Sequence, residues 1–150
     1  MKFLVDARPL VDPLNGGVTR VARGLIPALI KAMPEAEFVL GTTGMKRPKL
    51  NSTHTHITIP NKVFSAMTVS ALTSFDRIMG SMFDVLVLPN IGFIGRPRIP
   101  YALVLHDLAF LIEPRWFRLK ARWWHKAVYA KRLIREATWL FAVSERSKQD

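Results

Sequence analysis

Hydrophobic positions along the chain fall into two patterns: short, solid apolar runs, and longer stretches in which apolar residues return every three or four positions. The solid runs are Lys2–Asp6 (KFLVD), residues 37–42, 84–88 (DVLVL), Tyr101–Leu105 (YALVL) and 138–143, with a shorter alternating run at 56–60. Runs this short do not make helices. Tyr101–Leu105, without the alternation of a half-wet strand, suits a parallel sheet covered on both faces. Between them, Val18, Val21, Ala22, Leu25, Leu29 and Met33 recur at helical spacing, and Gly24 and Pro27 predict a kink or shortening of that helix. Residues 63–82 predict a second helix, filled by Met67, Met79 and Met82. At 100° per residue, Leu119, Trp123, Ala127, Ala130 and Ile134 lie within about 60° of Trp116, which predicts one long helix over 116–134 with Pro114 at its start. Residues 144–147 open a last helix with capping oxygens.

Alternation of about six strands with helices predicts an α/β fold with a Rossmann-like parallel sheet flanked by helices. The 150 residues fit one domain, and no internal repeat interrupts them. In such sheets ligands bind beyond the carboxyl ends of the strands. Those ends carry Asp6, Asn90, His106, Asp107 and Ser144. Gly16-Gly17, before the first helix, form a candidate phosphate cradle, because glycine lets the backbone approach and a helix N-terminus supplies N–H groups. Thr19, Arg20 and Arg23 add donors. A plain turn is the alternative for the glycines, and a satisfied core histidine is the alternative for His106. His54 and His56 have no third ligand in view, so no metal is expected.

Composition narrows the partners. The chain has no cysteine, which removes disulfides and thiolate metal sites and fits a reducing compartment. The opening MKFLVDARPL is too short an apolar run for a signal peptide, and nothing approaches the roughly 18 apolar residues of a span, so a cytoplasmic protein is expected. Any membrane contact would lie on the surface, at the inner face. Net charge is +11, which calls for an anionic partner. Eight of the 22 basic residues fall in residues 115–135, with no acid among them. Arg115, Trp116, Arg118, Lys120, Arg122, Trp123, Trp124 and Lys126 have the make-up of an interfacial helix on anionic lipid. The alternative is a core-packing helix with a wet basic back. No RNA-binding signature is present, and nucleic acid is not the expected partner.

Five segments in order, VDARPL, NGGVTRVARGL, FDVLVLPN, VLHDLAFLIEPRWF and LFAVSERSKQD, resemble the N-terminal half of glycosyltransferase family 4 (glycosyltransferase group 1) enzymes of the GT-B fold. The resemblance spans nearly the whole chain, and HDL-F---P-WF is its most specific part. It implies retaining, metal-independent transfer of a sugar from a nucleotide-sugar to a glycan or lipid-linked acceptor, with no cofactor beyond that substrate. It implies that Gly16 and Gly17 lie near the donor diphosphate and acceptor. By the same resemblance His106 reaches the donor sugar and Asp107 orients His106 or caps the next turn; Asn90 and Ser144, by their place at the strand ends, are expected to join the binding cleft. It further implies that residues 1–150 are the acceptor-side domain, unfinished at its C-terminus, of a longer enzyme whose nucleotide-sugar-binding domain lies outside this chain. Alone, such a half is expected to be inactive and prone to self-association through uncovered surface. The competing expectation is a stand-alone, non-catalytic module that binds anionic lipid or nucleic acid through residues 115–135.

Overall fold

A computed structural model describes residues 1–11, 16–80 and 82–149. Six strands, β1 (Lys2–Asp6), β2 (Glu37–Gly44), β3 (His54–Thr58), β4 (Val85–Leu88), β5 (Tyr101–Leu105) and β6 (Trp139–Ala142), form one sheet. Their order is β3-β2-β1-β4-β5-β6, and every neighbouring pair is parallel. This is a Rossmann-like α/β sheet wound outward in two directions from the β1–β4 pair. Helices α1 (Gly17–Ala32), α2 (Asn61–Val69), α3 (Phe75–Ile78), α4 (Ala109–Ile112), α5 (Leu119–Ala127), α6 (Ala130–Glu136) and α7 (Glu145–Gln149) fill the connections. Short 3-10 turns cover Arg8–Val11 and Pro114–Trp116.

The solid apolar runs are explained by the two faces of the sheet. β1 sends Leu4 to one core cluster and Phe3 and Val5 to the other; β4 divides Leu86 and Leu88 from Val85 and Val87 in the same way. A strand buried on both sides has no polar face to alternate with. One cluster continues into Phe64, Phe75, Leu103 and Leu133, the other into Ala22, Ile26, Phe38 and Leu40.

The helices depart from expectation in three places. α1 runs unbroken through Gly24 and Pro27. Both are exposed, so the costs they impose fall on the solvent side while Ala22 and Ile26 hold the buried side. The helix expected over 63–82 stops at Val69, and Ala71 takes the left-handed backbone at φ 57°. Beyond that break the chain is recruited by another partner: the Phe75 N–H donates to the Ile94 carbonyl at 2.8 Å, so α3 starts afresh against the loop after β4. The helix expected over 116–134 is likewise two helices. Phe117 is extended before α5, and Tyr129 is left-handed (φ 54°, ψ 42°) between α5 and α6.

The Tyr129 corner cancels the phase relation across 116–134. Beyond it Ala130 and Leu133 enter the core, along with Val128 just before it. Ahead of it Trp116, Leu119 and Trp123 stand in solvent at 77%, 69% and 68% exposure. Core packing is therefore not the role of Trp116, Leu119 and Trp123, while Ala130 and Ile134 of the same stripe do pack on the core. Tyr129 is held by its hydroxyl, which donates to the Val69 carbonyl at 3.2 Å, and by the Arg132 guanidinium 4.5 Å over its ring.

β6 also differs. Expected as another apolar strand, it is the sheet's edge: among the described residues it pairs only with β5, and Trp139, Leu140 and Phe141 remain about half exposed. Trp139 and Phe141 open onto an apolar groove of about 430 Å³ shared with Leu25 and Leu29 of α1 and with Val87 and Val104 of the sheet.

Candidate functional site

The strand order reverses between β1 and β4, and the crevice beyond their carboxyl ends is where such sheets bind ligands. Asp6, the last residue of β1, is buried there. Two residues on, the 3-10 turn brings Arg8 back over it in a two-pronged pair: Nε donates to Asp6 Oδ1 and Nη2 to Oδ2, both at 2.8 Å. Arg8 Nη1 also donates to the Phe93 carbonyl at 3.0 Å, and its guanidinium lies over the rings of Phe75 (4.7 Å) and Phe64 (5.1 Å). Nε, Nη1 and Nη2 of Arg8 each have a partner, and the side chain stays 20% exposed where it lines the crevice. The pair is a fixed, nearly neutral floor, shaped by charge-assisted bonds, rather than a free cation awaiting phosphate.

Above this floor is a cavity of about 540 Å³, with Thr43, Asn61, Asn90 and Trp124 among its walls. The Thr43 hydroxyl donates to Asn61 Oδ1 at 3.3 Å. Asn90 thus stands where the sequence indicated. Val18, from the first turn of α1, lines the same cavity. Gly16 and Gly17 precede it and are exposed. Gly16 has an ordinary φ of −71°, and among the described residues nothing lies within 4 Å of a Cβ built on either glycine. Gly16 offers no side-chain cap, so the α1 N-terminus presents its first-turn amides and positive dipole end uncapped by its own N-cap residue.

His106 follows β5 directly and is half-buried. Its Nε2 is 2.9 Å from the Pro89 carbonyl, the residue before Asn90. A carbonyl only accepts, so Nε2 carries the proton, and in the neutral ring Nδ1 carries the lone pair. His106 is not in the wall of the 540 Å³ cavity; its bond is to Pro89, the chain neighbour of the wall residue Asn90. Asp107 does not orient it. Asp107 Oδ1 accepts the Ala109 N–H at 3.2 Å, the capping role that was its alternative. Ser144 is likewise a structural cap. Its Oγ accepts the Ser147 N–H at 3.2 Å and shares a hydrogen bond with the Ser147 hydroxyl at 3.0 Å, while Ser147 Oγ donates to the His106 carbonyl at 3.1 Å. Ser144, expected in the binding cleft, thus starts α7 and so steadies the backbone of His106.

On α5 and the turn before it, Arg115, Arg118, Lys120, Arg122 and Lys126 are exposed beside Trp116 and Trp123, and Lys126 Nζ sits 5.4 Å over the Trp123 ring. Trp124 departs from the expected interface. Its ring packs edge-on to Phe93 at 5.9 Å and walls the β1–β4 cavity, because it lies about 100° round the helix from Trp123. His125, which the sequence did not single out, stacks on Phe110 (4.3 Å) and meets Phe117 edge-on (5.6 Å). Burial among these rings pushes its pKa down, against the opposing pull of Asp107 and a backbone hydrogen bond at Ala121.

His54 and His56 do not form a metal pair. His54 Nδ1–H donates to the Ser52 carbonyl and Nε2 accepts from Arg47, while His56 Nδ1 bonds the Thr42 hydroxyl at 2.9 Å. Among the described residues no cluster of three or more His, Asp or Glu is placed to hold a metal ion. No described helix is long and apolar enough to cross a membrane. Compared with models of protein families, with curated proteins and with solved structures, the chain matches none.

Proposed function

We propose that this chain is the N-terminal, acceptor-side half of a retaining, metal-independent glycosyltransferase of family 4 and GT-B fold. It moves a sugar from a nucleotide-sugar to a cell-surface glycan or glycolipid acceptor. The observation that carries the reading is His106: an imidazole at a strand's carboxyl end, pinned through Nε2 to the Pro89 carbonyl at 2.9 Å, with Nδ1 left as an acceptor. With Nε2 donating to that carbonyl, the Nδ1 of a neutral ring can accept a hydrogen bond from a sugar hydroxyl and steady the sugar as charge develops at the anomeric carbon. On the other side of β4, the α1 N-terminus and its two glycines suit the leaving diphosphate, since amides and dipole are oriented before the reaction. The Asp6–Arg8 floor keeps the crevice in shape without competing for that anion. Half a donor site does not position a donor, so residues 1–150 alone are inactive in this reading.

The test is sugar transfer by the polypeptide that joins this chain to a donor-binding domain, offered a panel of nucleotide-sugars. Substituting His106→Ala should lower kcat by about 10²-fold or more while leaving the fold intact. Undiminished turnover by that variant, or transfer by residues 1–150 alone, would overturn the proposal.

A second reading concerns location. Trp116, Leu119 and Trp123 stand in solvent within a ring of Arg and Lys, which supports peripheral attachment to the anionic inner face of a membrane. The same surface serves the non-catalytic alternative. Lipid binding together with no transfer by the longer polypeptide would favour that alternative.

A further inference from the structure

The corner at Tyr129 makes more than a change of direction. Because α5 and α6 meet at a left-handed residue, their cationic side chains converge on one hollow of about 500 Å³ instead of spiralling along a single rod. Arg122 and Lys126 reach it from α5, and Lys131 and Arg135 from α6. All four are exposed, and among the described residues no carboxylate is bonded to any of them. The one acid of α6, Glu136, faces Arg96 at 3.7 Å and Arg132 at 4.0 Å. Phe110, Leu111, Pro114 and Ala130 also line the hollow, and these are half-buried or buried. The hollow therefore has a cationic rim and an apolar interior.

We propose that the α5–α6 elbow is a headgroup pocket for a single phosphate-bearing amphiphile, the phosphate held by Arg122, Lys126, Lys131 and Arg135 and the first part of the tail by the apolar wall. The inference deepens the bilayer reading and rests on it for the direction of approach, since Trp123 is on the same helix as half of the rim and Trp116 lies just ahead of it. A flat basic face attracts a film of anionic lipid without selecting one molecule. Four cations round one hollow prefer a dianionic phosphate monoester to a zwitterionic headgroup, and arginine adds two-pronged contacts to its oxygens.

Calorimetric titration of the chain with dihexanoyl phosphatidic acid, kept monomeric, tests the pocket apart from any bilayer. Saturable one-to-one binding is expected, stronger than to dihexanoyl phosphatidylcholine or to inorganic phosphate. The double variant Lys131→Glu/Arg135→Glu should weaken it by about tenfold or more, and Lys131→Gln/Arg135→Gln by less. These side chains are exposed and leave the core untouched. The double variant Trp116→Ala/Trp123→Ala should keep this binding while losing attachment to phosphatidylcholine vesicles that contain phosphatidylserine. Three results overturn the pocket: no saturable binding of the short-chain lipid, equal binding of inorganic phosphate, or tighter and steeply salt-dependent binding of a single-stranded oligonucleotide. Vesicle attachment without short-chain binding removes the pocket and leaves the bilayer reading. Short-chain binding without vesicle attachment removes the bilayer reading.

Discussion

Tyr101 ties β5 to α6 by one bond, its hydroxyl donating to the Leu133 carbonyl at 2.7 Å. Burial, reinforced by Glu136 and opposed by Arg132, pushes the phenol up to about 12. An unfolded tyrosine ionises near pH ~10, so the native state keeps a proton that the unfolded chain has lost. Stability from this group is complete below about pH 10 and is lost as pH climbs toward 12. Urea midpoints across that range should fall for the native chain. They should fall less for Tyr101→Phe, which starts about 1 kcal/mol lower at neutral pH for want of the bond. His125 has the opposite sign: its lowered pKa favours the neutral ring, so its contribution is complete above about pH 6.5 and erodes as pH falls below. Ala71 carries backbone strain in an exposed left-handed position, φ 57°. Ala71→Gly should raise the denaturant midpoint, with a gain of about 0.5–1 kcal/mol after glycine's own entropy cost. At this scale the sequence told half the story. Asp6, Asn90 and His106 were legible because residues that end buried strands are placed by the strand itself. The Asp6–Arg8 floor was not, because it depends on Phe64, Phe75 and Phe93, which are distant along the chain.

Strands were the most legible elements, since burial on both faces writes a solid apolar run. β1 and β5 occupy the expected residues, and the rest shift by one or two positions at one or both ends. Helices were less so. Periodicity shows which residues share a face but not where the face stops, and the breaks at Ala71 and Tyr129 are set by partners far along the chain: Ile94 for the restart at α3 and Val69 for Tyr129. The edge strand β6 leads to a prediction at this scale. WLFA carries no charge, no proline and no bulge, the usual guards of an open edge. The chain should self-associate with rising concentration in sedimentation experiments, and Leu140→Lys should shift it toward monomer. A native chain that stays monomeric at high concentration would refute the edge as the cause.

Across the whole molecule, exposed aromatic side chains gather in two places, the basic surface around α5 and the edge strand β6. Strand order was not written in the periodicity, because it arises from pairings such as β1 with β4 that join distant segments. The basic surplus and its gathering in residues 115–135 were legible in the sequence; the corner at Tyr129, which divides it between α5 and α6, was not. Binding to phosphatidylserine vesicles should therefore fall with added salt yet persist in part, with a blue shift of tryptophan emission that disappears in Trp116→Ala/Trp123→Ala. Complete loss in moderate salt without a spectral shift would reduce the contact to electrostatics alone. The groove between β6 and α1 has a practical consequence for anyone tracking the folding of this chain. Dyes that light up on apolar surface normally report a loosened, partly folded state. Here the native chain already offers such a trough, with Phe141 and Leu25 on its walls. Dye fluorescence should thus be high before any denaturant is added, and only the loss of near-ultraviolet circular dichroism should mark the melting of its tertiary packing.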